Sequence, residues 1–267
     1  MKKTFFTCFF LGMSVLPTLS KTYDKVDVLA RPVPISSIKD IKGFFGYRME
    51  VNRNYLKDFP IDKYVDFVVQ RQHTAWDWTK AEQHGKWIES AYLSGIQRND
   101  KALLDKARTM LKRIVDSQEE SGYVGATSKD YRSDERPVRG MDAYELYFVF
   151  HAFITVYEET GDKASLAAAE KLADYYLKYF GPGKLEFWPS DLRDPENRHK
   201  SIDALSQFAG HGVHYSWEGT LLCDPIARLY ELTGKKKYLD WSFWVVGNID
   251  KWSGWDAFSR LDSVADG

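Results

Sequence analysis

The amino-acid sequence predicts an all-α protein, an α/α toroid of helical hairpins. Three segments share one pattern, in which a short polar turn separates two amphipathic runs. When these segments are aligned, Leu104, Leu166 and Leu239 occupy the same position and lie 62 and 73 positions apart. No alternation of apolar and polar residues typical of a strand occurs after residue 20. Helical hairpins that repeat at such intervals are typical of toroids and solenoids.

The turns and the runs beside them support each predicted helix. Asn99, Gly161 and Gly234 suit the left-handed conformation in which many helices end, and a new run starts shortly after each of them. Apolar residues recur at every third or fourth position of the runs, as they do on one face of a helix. We therefore predict about three hairpins and a leading helix, with helices that include 61–72, 80–94, 103–115, 140–160 and 166–177.

The first twenty residues have the pattern of a secretory signal peptide. A basic start at Lys2 and Lys3 precedes a largely apolar run, and small residues stand before a cleavage point after Ser20. A membrane anchor is the alternative interpretation, but the run is too short to cross a bilayer core of about 30 Å. We expect a secreted or periplasmic protein with no membrane segment after cleavage.

Composition narrows the function classes. The chain has 267 residues, 44% hydrophobic and 28% charged, and a formal net charge of −1. These values indicate a folded, soluble protein and give no electrostatic reason to expect binding to nucleic acid or an anionic membrane. Two cysteines exclude a disulfide scaffold and a Cys-rich zinc site. Aromatic residues make up 15% of the chain, enough to fill a core or to line a groove that stacks on sugar rings.

Short motifs follow one another in order along residues 43–250. They are Gly46-Tyr47-Arg48 with Asn52-Arg53, Gly85-Lys86-Trp87-Ile88-Glu89-Ser90-Ala91, Gln118 with Gly122-Tyr123-Val124-Gly125, Tyr144-Glu145-Leu146-Tyr147 with His151, and the Tyr-x-x-Thr-Gly turns at 157 and 230. Their order and spacing resemble glycoside hydrolase family 127, β-L-arabinofuranosidase-like enzymes with an (α/α)6 barrel. Two departures stand out. Tyr144 replaces the histidine of one family motif, and residues 211–218 replace its Gly-His-x-Glu stretch.

The resemblance implies an exported glycosidase that acts on oligosaccharides or polysaccharides of plant type and releases L-arabinofuranose-like sugars. The expected division is a signal peptide over 1–20, an N-terminal segment over 21–42 and a partial α/α-barrel catalytic domain over 43–267. We expect this to be the N-terminal part of a larger protein, the alternative being a short, complete solenoid. Family members carry a cysteine nucleophile and a zinc ion on residues further along the chain. We therefore expect no cofactor here, and an isolated chain that is inactive or feeble.

Two other functions remain open. One is a different enzyme on a six-hairpin barrel, such as an unsaturated glycuronyl hydrolase or a sugar epimerase. The other is a carbohydrate-binding remnant without catalysis, because toroids host all of these functions. Cys223 lies in an amphipathic run, so we expect it in the core and not at a site.

The candidate catalytic residues are Glu145 and Glu218. Glycoside hydrolysis generally needs two carboxylates, or a nucleophile and an acid, beside the scissile bond. Glu145 starts an apolar helix, where it is either paired structurally or kept protonated as a general acid by burial. Glu218 opens a helix, where an acid either favours the helix dipole or serves the site. Asp142 is predicted to cap its helix.

The candidate sugar contacts are aromatic and polar residues. The tryptophans at 76 and 78 lie between two helices and either form a sugar platform or pack beneath their loop. The histidines at 211 and 214 share a loop and suit sugar hydroxyls, while a metal site would need a third ligand. Arg48 either clamps the substrate or pairs with a helix acid. The full predicted set is Arg48, Asn52, Trp76, Trp78, Tyr144, His211, His214 and Trp217.

Two further interpretations concern polar residues outside that set. His151 stands among phenylalanines on one helix, so we predict a core histidine bonded to a backbone carbonyl. The run at 129–136 is rich in both charges, and we predict a solvated loop there.

Overall fold

A computed structural model describes residues 25–27, 33–38, 40–72, 82–134, 137–138, 142–186 and 218–253. Within these ranges the regular structure is helical, apart from one isolated β-bridge, so the predicted all-α class is confirmed. None of the described helices is long and apolar enough to cross a membrane. The α-helices are α1 (Gly43–Asp58), α2 (Ile61–Val69), α3 (Gln83–Arg98), α4 (Lys101–Asp116), α5 (Asp142–Thr160), α6 (Lys163–Tyr179), α7 (Cys223–Thr233) and α8 (Lys236–Ser253).

Three pairs of consecutive helices form hairpins in the described part of the chain, α3–α4, α5–α6 and α7–α8, and each is closed by a two-residue turn. Asn99, Gly161 and Gly234 have φ of 51°, 74° and 69°, which confirms the predicted left-handed helix ends. Asp100 and Asp162 then cap the next helices by accepting backbone N–H bonds with their side chains. Two residues also join α1 to α2, but these helices pack against α3 and α4 and not against each other. The predicted three hairpins are confirmed, and the helix over residues 43–58 was not predicted.

The first helices of successive hairpins run parallel to one another. Gly85 near the start of α3 packs against the backbone of Phe148 in α5, and further along Thr155 Oγ1 donates to Glu89 Oε1 at 2.8 Å. From the first contact to the second, the residue number increases in both helices. Helices α3 and α5 are therefore parallel. The starts of these inner helices therefore share one end of the molecule, and the longer segments between hairpins lead to that end.

The core lies between these inner helices and the outer helices that return beside them. Trp87 of α3 is buried, and its Nε1 donates to the Leu56 carbonyl at 3.0 Å, which joins α1 to α3. A Cβ on Gly85 would stand 2.4 Å from the carbonyl carbon of Phe148. Only glycine permits this approach, so Gly85 sets the spacing of the two inner helices.

Two arginines fix the segment that leads from α4 towards α5. The guanidinium carbon of Arg132 lies 3.6 Å from the ring centroid of Tyr123, and that of Arg71 lies 5.5 Å from it. Both arginines donate to Oε1 of Glu119. Because the Arg132 side chain is only 7% exposed, the prediction of a solvated loop over 129–136 is wrong at this residue. Lys129 and Asp130 in the same run are exposed.

Candidate functional site

One stripe of α5 is partly open, while the other described side chains are buried until the last turn, where Glu159 and Thr160 are also open to solvent. The buried residues include Leu146, Val149, Phe150 and Phe153. The partly open residues are spaced by three or four positions, so they share one face of the helix. They are Tyr144, Tyr147, Phe148, His151, Thr155 and Glu158. Helices α3 and α7 flank α5. We call this stripe of α5, together with the residues of α3 and α7 that contact it, the inner face.

Aromatic rings occupy the part of the inner face nearest the start of α5. The Tyr144 and Phe148 ring centroids lie 5.0 Å apart, and those of Tyr147 and Phe148 lie 5.1 Å apart. The Lys86 ammonium lies 4.1 Å from the Phe148 centroid and 2.9 Å from Glu82 Oε2. Ring faces beside a paired cation and carboxylate suit a sugar, which has apolar C–H faces and a polar rim.

Further along the same stripe, a histidine and an aspartate join α5 to α7. His151 Nε2 lies 2.9 Å from Asp224 Oδ2, and the His151 side chain is 27% exposed. The hydrogen bond from His151, with the histidine's charge, outweighs burial and holds the pKa of Asp224 below its usual range. The Tyr147 ring is 4.5 Å from the His151 ring. The prediction that His151 is a core residue bonded to a backbone carbonyl is therefore wrong.

Tyr147 lies between the aromatic rings and the His151–Asp224 pair of the inner face. Burial, followed by the negative charges of Asp224 and Glu89, raises the pKa of its phenol. The hydroxyl therefore stays protonated near neutral pH and offers a hydrogen bond. At the far end of the stripe Glu158 pairs with Arg228, so the polar residues of α5 reach partners on both neighbouring inner helices.

The predicted carboxylate Glu145 lies behind this stripe. Its side chain is 1% exposed, and neither oxygen reaches solvent. Asp142, at the first position of α5, is fully buried and accepts hydrogen bonds from Tyr123 at 2.9 Å and from Thr127 at 3.0 Å. The structure thus supports the packing interpretation of Glu145 more directly than the catalytic one, and its role as an acid stays a prediction.

Arg48 and Asn52 lie one turn apart on the exposed side of α1. With Ile41, Phe45 and Met49 they line an open depression. The structure thus brings these two predicted residues together. In the described part of the chain no hydrogen bond or ion pair joins them to Tyr144, which lies in the first turn of α5.

The remaining predicted contacts fall on other parts of the sequence. Trp76 and Trp78 belong to 73–81, and His211, His214 and Trp217 belong to 187–217. Both ranges lie outside the described residues. The backbone of Glu218 opens the 3-10 helix Glu218–Leu222, which leads directly into α7. The assignment of these residues to a sugar site stays a prediction, as does the signal peptide at 1–20.

Reasoning from the sequence overlooked Lys86, Tyr147 and Asp224. A signal for Tyr147 was present, because Tyr144, Tyr147 and His151 recur at helical spacing among residues that are otherwise apolar. Asp224 gave no such signal, since its partner His151 is more than seventy positions earlier.

The described residues do not fit the zinc centre that the resemblance implies. They contain no group of three or more His, Cys, Asp or Glu side chains that could hold a metal ion. Cys223 packs against the core, and its thiol donates to the Ser242 carbonyl at 3.6 Å. Burial raises the pKa of this thiol, the opposite of what a thiolate ligand or nucleophile needs.

Comparisons with known proteins agree with this architecture. A search of curated proteins gives no match. Among solved structures, the GH127 β-arabinofuranosidase BT3674 superposes with a TM-score of 0.55 at 20% sequence identity. The match covers 81% of this chain and 34% of that one, so the chain spans about a third of its length. This likeness shows the fold, which corresponds to part of an (α/α)6 barrel.

The family follows from a separate comparison. The model for the GH127 catalytic domain of β-L-arabinofuranosidase matches residues 37–188, more than half of the chain, and this range includes α1 to α6. The chain therefore belongs to the GH127 β-L-arabinofuranosidase catalytic-domain family.

Proposed function

We propose that the chain contributes the sugar-binding surface of an exported glycosidase that releases L-arabinofuranose-like sugars from plant-type glycans. The observation that carries this proposal is the inner face of α5, where three aromatic rings and the His151–Asp224 pair lie on one open stripe of a buried helix. Membership of the GH127 family makes a carbohydrate the expected ligand.

The proposed roles follow from the chemistry of the stripe. Tyr144 and Tyr147 present ring faces to the C–H side of a furanose. His151, oriented by Asp224, and Lys86 exchange hydrogen bonds with its hydroxyls. A site built from hydrogen-bonding groups rejects an analogue that lacks the matching hydroxyl, because those groups are then left unpaired. The proposal thus accounts for both binding and selection of the sugar.

The catalytic groups that we propose in this chain are two carboxylates. Glu218 stands where the segment after α6 reaches the inner layer, and Glu145 stands one position after Tyr144. We keep both as the candidate acids, and Arg48, Asn52, Trp76, Trp78, His211, His214 and Trp217 as further candidate contacts. We also propose that the protein is secreted or periplasmic and that the chain itself holds no cofactor.

Binding of L-arabinose by the whole chain tests the sugar-binding surface directly. We expect saturable binding in a calorimetric or ligand-observed NMR titration, and weaker binding by about fivefold to tenfold in His151→Ala, which removes hydrogen bonds to the sugar. Lys171→Ala is the matched control, because Lys171 is exposed on the outer helix α6. Equal affinity in His151→Ala and the control, or no saturation in the parent chain, would contradict the proposal.

The reaction is tested separately with 4-nitrophenyl β-L-arabinofuranoside, on the longer protein of which this chain is expected to be the N-terminal part. Release of 4-nitrophenol that is lost in Glu218→Gln would support the glycosidase assignment and the role of Glu218. Turnover of an unsaturated glycuronide, or epimerisation of a free sugar, would replace it by another six-hairpin-barrel enzyme. Sugar binding without turnover of any of these substrates would support a carbohydrate-binding role.

A further inference from the structure

We propose a second ligand site on the outer layer, between α4 and the α5–α6 turn, that binds a small aromatic carboxylate. A cavity of about 500 Å³ lies there. Its volume falls in the range of small-molecule sites, which is about 300–1,000 Å³. It shares no lining residue with the inner face. The residues around it are Tyr92, Arg108, Leu111, Lys112, Val115, Asp116, Thr160, Asp162 and Ala164.

The Tyr92 hydroxyl is one of the polar groups of this outer cavity. Tyr92 is 3% exposed, and its hydroxyl makes no hydrogen bond to any residue that the structure describes. Arg108 and Asp162 line the same cavity as Tyr92, and the charges of both act on its phenol. Burial raises the pKa of Tyr92 to about 12, which keeps the hydroxyl protonated as a donor. Since Tyr92 lines the cavity, its hydroxyl can donate to a ligand bound there.

The charged residues of the cavity leave Arg108 for an anion, because Lys112 and Asp116 already pair with each other at 2.5 Å. Asp162 is already committed as a helix cap, since its carboxylate accepts bonds from Ala164 N at 3.2 Å and from Ser165 N at 3.3 Å and Oγ at 2.6 Å. Among the described residues Arg108 pairs with Asp105 alone, at 2.7 Å, and both side chains are more than half exposed. Such surface pairs contribute little to stability, so Arg108 can turn to a ligand at small cost.

The walls favour an apolar body over a sugar. Leu111 and Val115 form one side of the cavity and Ala164 lies across from them, so their aliphatic groups cannot satisfy a ring of hydroxyls. An aromatic ring fits between these walls, and its carboxylate can accept from both Tyr92 and Arg108. This combination of apolar walls with two donors in one cavity defines the ligand class.

Titration of the whole chain with benzoate, and with neutral benzamide of the same shape, tests this site. We expect saturable benzoate binding by ligand-observed NMR, with benzamide at least about fivefold weaker because it cannot pair with Arg108. Arg108→Gln and Tyr92→Phe should each weaken benzoate by about fivefold to tenfold. Lys101→Gln, which removes an exposed cation elsewhere on α4, should leave it unchanged.

Three outcomes would overturn the proposal. They are an absence of saturation by benzoate, equal affinity for benzoate and benzamide, and benzoate binding that Arg108→Gln leaves intact. Arg108 is exposed, so its variant tests the site even where Tyr92→Phe lowers stability. L-arabinose binding should be the same in Arg108→Gln as in the parent chain, which keeps this test independent of the inner face.

Discussion

Replacing Glu119 by glutamine should destabilise the protein by removing a charge while preserving the geometry of its contacts. Arg71 Nε donates to Glu119 Oε1 at 3.1 Å, and Arg132 donates to the same oxygen. The Glu119, Arg71 and Arg132 side chains are only 12%, 15% and 7% exposed, so solvent screens the three charges weakly. Glutamine retains Oε1 as an acceptor for both guanidinium groups but carries no charge.

The expected loss in the free energy of unfolding depends on which contacts of residue 119 each variant keeps. A hydrogen bond to a charged group contributes about 1.5–3 kcal/mol. We expect Glu119→Gln to lower the free energy of unfolding by about 2 kcal/mol, because the shared acceptor loses its charge while both bonds from the arginines remain. Glu119→Ala leaves two partly buried cations without their shared acceptor, and the loss should approach the roughly 3–5 kcal/mol of a broken buried pair. Arg71 keeps its bonds to the Val68, Gly125 and Ser117 carbonyls, which limits the loss.

Urea unfolding across a pH series measures both the size and the sign of this contribution. Burial alone would raise the pKa of Glu119, but the hydrogen bond and charge of Arg132, with those of Arg71, outweigh it and lower the pKa. A carboxylate with a lowered pKa contributes its full stability above its ordinary pKa of 4.5 and loses it as the pH falls through the folded-state value. Parent and Glu119→Gln should therefore differ at neutral pH and converge below pH 4.5.

The neighbouring residue supplies a matched control. Glu120 is exposed, so Glu120→Gln should change the free energy of unfolding by less than about 0.5 kcal/mol. If Glu119→Gln were as stable as Glu120→Gln, or if its deficit persisted unchanged into acid, the two-arginine arrangement would not stabilise the fold through charge.

Three further predictions concern the packing of α5 and the inner face. Tyr123→Phe removes the hydroxyl that donates to Asp142, and chemical denaturation should show a loss of about 1–3 kcal/mol, whereas an unchanged midpoint would mean that the buried bond is not formed. Gly85→Ala places a methyl group against the α5 backbone and should cost at least about 2 kcal/mol, while the exposed Ser90→Ala should be near neutral. In His151→Gln the pKa of Asp224, followed by NMR titration of its carboxyl carbon, should rise towards 3.8, and an unmoved value would rule out the pair.

The hairpins were predictable because their signals are local. A left-handed residue, an aspartate cap and helical periodicity all lie within one turn of the chain, and the structure confirms Asn99, Gly161 and Gly234 as helix ends. Helix α1 gave no such signal. Only Leu56 is buried in it, and Phe44, Phe45 and Tyr47 are exposed, so its apolar residues do not follow the period of one covered face.

The site was harder to predict because it depends on partners that are distant in sequence. His151 has phenylalanines on either side along α5, and only the positions of α3 and α7 leave its face open. Arg132 sits in a run that has the composition of a solvated loop, yet Glu119 and Tyr123 bury it. Composition and periodicity describe a helix face, but which face is uncovered is decided by the packing of neighbouring hairpins.

The two-residue turns also bear on how the chain folds and opens. Each hairpin closes a very short loop, so little chain entropy is lost in forming it, and contacts within a hairpin can form early. Contacts between hairpins come mainly from nearest neighbours, as in a repeat protein, so the hairpins should open as separate cooperative units. Helix α1 buries little of its surface, since Leu56 is its one buried residue. Its amide protons should therefore exchange with solvent before those of α5, which is enclosed on both sides.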